Sequence, residues 1–214
     1  QKQLTNGRVQ AGDQFSLSMS GSGAPAAVVT TGSGSTVSSA ALVHTTAVSG
    51  TAYTLSEAAS GTTVLNNYTA SYACTNARAG GQTPSGSGTS FSITPVAGDD
   101  LTCTFSNAAP VMTSFGTCDG RLYRSQGSPT ATSLYSVGTG ANPLVTTLMG
   151  SASQSPYDAI GYHPTDHFLY GIAAGNSNAL VRVGSEGNQV NLGPITNLPV
   201  LSGGQNYIVG EIGS

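Results

Sequence analysis

The sequence predicts an all-β protein in two parts, a two-sheet β-sandwich over residues 1–110 and an incomplete series of propeller-type β repeats over residues 111–214. Three observations carry that expectation. Short runs rich in Val, Thr, Tyr and Phe alternate apolar and polar residues, and clusters of Gly, Ser, Asn or Asp separate them, the pattern of strands joined by turns. Hardly any stretch holds the 3.6-residue apolar period of an amphipathic helix. From Phe115 onward the chain repeats itself at an interval of about 46 residues, in the range of a propeller blade.

In the first part the candidate strands are 2–4, 14–20, 26–30, 40–46, 51–56, 68–74, 90–94 and 101–106. Phe15-Ser-Leu17-Ser-Met19 alternates strictly, as do Tyr53-Thr-Leu55, Phe91-Ser-Ile93 and Leu101-Thr-Cys103-Thr-Phe105. Seven or eight short strands with a turn signal every ten residues or so fill two packed sheets of the immunoglobulin type. Gly80-Gly-Gln-Thr-Pro-Ser-Gly-Ser-Gly88 is a loop by composition, and Val96-Ala-Gly-Asp-Asp100 reads as a hairpin turn joining the last two strands. Asp13, Asp99 and Asp100 stand in Gly-Asp turns, where Asp commonly bonds to nearby backbone. A boundary falls near Asn107-Ala-Ala-Pro110, since proline follows the terminal strand.

In the second part Arg121-Leu122-Tyr123 returns as Phe168-Leu169-Tyr170, and Leu134-Tyr135-Ser-Val137-Gly138 as Leu180-Val181-Arg-Val183-Gly184. Each pair is followed by a strand ending in glycine, Val145–Gly150 and Val190–Gly193. Ala159–Tyr170 reads as the inner hairpin of a blade with Pro164-Thr-Asp166 as its turn. Asn206-Tyr207-Ile208-Val209-Gly210-Glu-Ile212 then reads as the opening strand of a third blade. Two blades and the start of a third do not close a ring of four to eight. The strand carrying Tyr207, Ile208, Val209 and Ile212 is therefore expected to be an assembly edge. Strand addition from a neighbouring subunit would cover it, with Gln1–Arg8 as the first candidate donor.

Composition narrows the function classes. Charged residues make up 7% of the chain, far below the roughly 25% usual in globular proteins. Such a polar but uncharged surface suits an exported protein. The five arginines (Arg8, Arg78, Arg121, Arg124, Arg182) are scattered, so no basic patch favours nucleic acid. No apolar run approaches the roughly 20 residues that span a bilayer, so no membrane insertion is expected. The first residue is Gln rather than Met, as expected after removal of a signal peptide. No serine stands in a nucleophile elbow and no glycine-rich stretch opens a helix. No enzymatic activity and no cofactor are expected. His163, Asp166 and His167 form the one His/carboxylate cluster, but the His-x-x-x-His pair straddles a turn, and His44, the remaining histidine, lies far away in the other part. They read as turn residues, and no metal is expected.

Lys2 is the only lysine in the chain. It lies on the first candidate strand, Glu57 closes Tyr53-Thr-Leu55-Ser-Glu57, and Asn107 ends the last strand of the first part. Taken singly they are a solvated terminus, an exposed strand end and a turn residue. Taken together, a first strand with Lys, a middle strand ending in Glu and a last strand ending in Asn resemble the prealbumin-like (collagen-adhesin B-type) modules of bacterial surface proteins and pilins. The resemblance covers about residues 1–110 and implies a mechanically tough surface part. It also implies an intramolecular isopeptide bond between the Lys2 amine and the Asn107 side chain, with Glu57 as the acid. The chemistry has a clear physical basis. A lysine amine becomes a nucleophile when burial lowers its pKa, and a neighbouring carboxyl group can shuttle protons as ammonia leaves.

The same resemblance implies a disulfide between Cys74 and Cys103. Two buried free thiols are the alternative, less suited to an exported protein. Cys118 is left unpaired, as a small core residue or as a partner for a cysteine elsewhere. The expected function is that of an extracellular structural protein. It would be a subunit of a bacterial surface filament or cell-surface layer that self-associates through β-edges and is stabilised by internal crosslinks. The alternatives are a surface adhesin that binds a cell-surface partner and the N-terminal part of a larger secreted propeller.

Overall fold

The computed structural model describes residues 1–38, 41–116, 120–128, 131–153, 156–174 and 178–199. The chain divides into two compact units, Gln1–Pro110 and Val111–Ser214.

The first unit is a sandwich of two four-stranded sheets. One holds β1 (Lys2–Thr5), β8 (Leu101–Ala108), β5 (Thr69–Asn76) and β6 (Ser85–Ser87) in that order. The other holds β3 (Val28–Val29), β2 (Asp13–Ser20), β4 (Tyr53–Gly61) and β7 (Ser90–Ile93). All pairings are antiparallel except β1 with β8. The strict alternation of β2 turns Asp13, Phe15 and Leu17 inward, because successive side chains of a strand point to opposite faces. Leu17, Tyr53, Cys74, Phe91, Ile93 and Phe105 form the main core, with Tyr72 stacked on Phe91 at 4.0 Å between ring centroids. Phe15, Tyr68 and Ala109 form a second buried cluster.

Five sequence expectations need correction here. The candidate strand 26–30 shrinks to Val28–Val29. The described part of the candidate strand 40–46 joins no ladder. It keeps a strand's alternation, with Leu42 and His44 half-buried and Val43 exposed, so alternate side chains face the protein while its backbone pairs with no strand. The strand expected at 51–56 runs on to Gly61, because its second half pairs with the first half of β2. Glu57 is therefore a mid-strand residue. The glycine- and serine-rich loop contains β6, whose three residues are all exposed and so carry no apolar signal. Val96–Asp100 is no hairpin turn, since β7 and β8 belong to different sheets and the segment crosses between them. Asp99 holds that crossing through Gln82 Nε2 (2.7 Å), Asn76 Nδ2 (2.9 Å) and the Val96 N–H (3.0 Å).

The described residues of the second unit form two antiparallel sheets. Three strands, β9 (Leu122–Ser128), β10 (Ala131–Gly138) and β11 (Val145–Ser153), form a meander. Four more, β12 (Tyr157–Tyr162), β13 (Leu169–Ala173), β14 (Ala179–Val183) and β15 (Gln189–Pro194), lie side by side in chain order. The sequence repeat equates β9, β10 and β11 with β13, β14 and β15, and the four-stranded meander has the strand order of a propeller blade. Nothing in a described ladder corresponds to β12 in the first repeat. The segment one period earlier lies against turns of the second repeat: the Phe115 N–H donates to His167 O (2.8 Å) and the Ser185 N–H to Thr113 O (2.8 Å). Leu134, Tyr157, Leu169, Val181 and Val183 form the buried core of this unit. The strand expected at Tyr207, Ile208, Val209 and Ile212 lies outside the described residues, as does Cys118.

Candidate functional site: a buried lysine, glutamate and asparagine

Three strands from both sheets bring Lys2, Glu57 and Asn107 together inside the first unit. In the parallel pair, Lys2 stands opposite Phe105 and Leu4 opposite Asn107. Lys2 and Asn107 therefore lie diagonally, two residues apart on one inward face. Glu57 comes from the facing sheet, where the two-residue period of Tyr53, Leu55 and Glu57 turns it inward. All three residues are buried, and Asn107 is 0% exposed.

Glu57 joins the other two. Its Oε2 lies 2.9 Å from Lys2 Nζ, and both side chains are completely buried. Its Oε1 accepts a 2.6 Å hydrogen bond from Asn107 Nδ2. The Lys2–Glu57 contact is close without being in line for a directed hydrogen bond, and Lys2 Nζ, Glu57 Oε2 and Asn107 Oδ1 make none elsewhere. Buried polar atoms left in that state demand an explanation, because desolvation is uncompensated. Burial holds the Lys2 amine below its ordinary pKa, partly offset by the close Glu57 carboxylate. The face of the Phe15 ring lies 4.3 Å from Nζ.

The arrangement suits amide exchange. One carboxyl group touches the Lys2 amine through one oxygen and the Asn107 amide nitrogen through the other. None of the three residues is the solvated terminus, exposed strand end or turn residue that each suggests alone.

The disulfide joins Cys74 and Cys103, directly opposed on β5 and β8. Within Gln1–Arg8, the segment expected as a donor to a neighbour, β1 is laid into its own sheet, and the Phe105 N–H donates to Gln1 O at 3.0 Å. Asp13 is 1% exposed and accepts from the Gln10 backbone N–H at 2.9 Å, as its Gly-Asp turn suggests, and Asp100 is exposed, its N–H donating to Asn76 Oδ1 at 3.1 Å. His163, Asp166 and His167 surround the β12–β13 turn, where Asp166 accepts from Tyr170 OH (2.5 Å) and contacts His163 Nδ1 (2.8 Å). His167 Nδ1 contacts Tyr162 OH instead (2.5 Å). Among the described residues no group of three or more metal-ligating side chains gathers, and no helix is long and apolar enough to cross a membrane. Sequence reasoning missed Phe15 as a neighbour of Lys2, and Tyr68 as the ring packed against Phe15. Alternation shows that Phe15 points inward, but only cross-sheet packing shows what it touches.

A family described as a SpaA-type prealbumin-like fold domain matches residues 1–109. A second, a repeat of unknown function (DUF6923), matches residues 123–214. No curated protein and no solved structure matches the chain.

Proposed function

The chain belongs to the SpaA-type family of prealbumin-like fold domains, and from that premise we propose that it is an extracellular structural part of a bacterial surface protein or filament, stapled by its own isopeptide bond. The observation that carries this reading is the single Glu57 carboxyl group shared between Lys2 Nζ and Asn107 Nδ2 in the core of the sandwich.

The reaction follows from the positions. The Lys2 ammonium gives a proton to Glu57, which a lowered amine pKa favours. The free amine attacks Asn107 Cγ, forming the Nζ–Cγ bond. Glu57 delivers its proton to Nδ2, the Cγ–Nδ2 bond breaks, and the second amine proton goes to Glu57 as the tetrahedral centre collapses. The protons balance: amine and primary amide become a secondary amide and free ammonia. No cofactor is consumed, and each chain reacts once, so the role is structural and involves no turnover of an external substrate. Closing a loop of about 105 residues should stabilise the unit by about 4–5 kcal/mol, by the chain-entropy argument used for disulfides.

The repeats extend the surface structure as propeller-type blades. Self-association runs through sheet edges of the repeat unit. Intact mass under reducing conditions tests the staple. The protein should fall short of its sequence mass by the ammonia lost, about 17 Da. Glu57→Ala should restore the full mass and leave the fold largely formed. A full, unlinked mass for the unsubstituted protein would defeat the proposal.

A further inference from the structure

Beside the three reacting side chains lies a second buried polar group that the crosslink chemistry does not use. Asp13 opens β2 two residues before Phe15, on the same inward face. Its Oδ2 accepts hydrogen bonds from Tyr68 OH at 2.6 Å and from the Gln10 N–H at 2.9 Å, and its Oδ1 accepts one from Thr62 Oγ1 at 2.8 Å. Tyr68 OH also accepts from the Val9 N–H at 2.8 Å, so the phenol is fixed both as donor and as acceptor. The Tyr68 ring meets Phe15 edge to face, with centroids 5.4 Å apart and planes at 79°. Phe15 is 0% exposed, and its own N–H donates to Thr30 Oγ1 at 2.8 Å. Lys2 Nζ lies over the face of the Phe15 ring, 4.3 Å from its centroid.

We propose that Asp13, Tyr68 and Phe15 form a buried brace that positions the Lys2 amine, so that the rate of crosslinking depends on the Phe15 ring and on the Tyr68 hydroxyl behind it. This rests on the crosslink proposed above and adds three positioning residues to it. The physical need is specific. A lysine side chain turns about several bonds, and once its proton has passed to Glu57 the ion pair that held it is gone. A rigid wall then keeps the amine facing Asn107 Cγ and keeps water out. Small losses of alignment are expensive in such a reaction, since a misplacement of about 1 Å can cost about 100-fold in rate. Flexible apolar residues would supply bulk at this position without fixed direction. An aromatic ring clamped from behind by an anchored phenol supplies both.

The test uses the full chain recovered from inclusion bodies in urea and reductant, its intact mass showing that it enters uncrosslinked, then refolded by dilution. Recovery of native structure is followed by circular dichroism, and crosslinking by the timed loss of about 17 Da in intact mass. Rates are taken only on molecules that have regained the native spectrum. Phe15→Leu, which keeps the bulk and removes the ring face, should slow crosslinking by about 10-fold or more. Phe15→Tyr, which keeps the face, should stay within about twofold of the unsubstituted protein. Tyr68→Phe, which keeps the second ring and removes its anchor, should slow crosslinking several-fold. Ile93→Val, a core change in the same unit away from the brace, should leave the rate unaltered despite a loss of stability. If the unsubstituted chain crosslinks and both Phe15→Leu and Tyr68→Phe crosslink at its rate, the brace is refuted while the crosslink stands. If the unsubstituted chain never loses the mass, both ideas fall together.

Discussion

At Glu57 a carboxyl group without a solvent-exposed atom faces an amine on one side and an amide on the other. Before the bond forms, this is a buried ion pair, and removing one partner of such a pair costs about 3–5 kcal/mol because the other charge is left uncompensated. Lys2→Met should therefore destabilise the sandwich by that order in urea unfolding, measured against Asn107→Ala, which lacks the reacting amide but keeps the ion pair. The double variant Lys2→Met/Glu57→Gln should recover part of the loss, since it leaves no lone charge behind. Asp99 gives a second residue-scale expectation. Hydrogen bonds from Gln82, the Val96 N–H and Asn76 hold its pKa down to about 2. A carboxyl group depressed in the folded state stabilises above its unfolded pKa of about 4 and loses that contribution as the pH falls through its folded value. The melting temperature should thus fall between about pH 4 and pH 2, and Asp99→Asn should flatten that dependence. An unchanged slope in Asp99→Asn would assign the acid sensitivity to other carboxylates.

Among the elements, β8 carries both staples: the disulfide ties it to β5, and the Lys2–Asn107 bond would tie it to β1. Cys74 and Cys103 are separated by 29 residues, so reducing the disulfide should cost about 3–4 kcal/mol in the uncrosslinked Glu57→Ala background. A smaller cost is expected once the isopeptide is in place, because the unfolded chain is then already constrained. Legibility also divides by element. β2 and β8 were readable because strict alternation on a half-buried strand leaves a two-residue period in the sequence. β6 was not, because all three of its residues face solvent. The segment 41–46 misled for the opposite reason: its side chains alternate while its backbone joins no strand. The site was legible as three residue types on three strands. Its closure was not, because the position of Glu57 depends on how far β4 runs beyond Leu55, and the register between β2 and β4 sets that. The wall behind Lys2 depends on contacts between residues distant in sequence, such as Phe15 with Tyr68, which no local pattern records.

For the whole molecule, the two units take different parts of the proposed work. If self-association belongs to the repeats, a chain ending at Pro110 should sediment as a monomer and still show the mass deficit, whereas the full chain should assemble. Assembly of the shorter chain would move the interface to the sandwich. The first and last strands of the first unit are parallel neighbours, so tension entering at Gln1 and leaving at Pro110 would load that pair in shear. A covalent bond between residues 2 and 107 would carry the same tension past nearly everything between them. Single-molecule stretching under reducing conditions, with handles at residues 1 and 110, tests this most directly. The account predicts that the sandwich gives no lengthening step up to the force that ruptures the attachments, while Glu57→Ala does. A step of about 350 Å in the unsubstituted protein, the reach of about 105 residues at roughly 3.3–3.6 Å each, would contradict it.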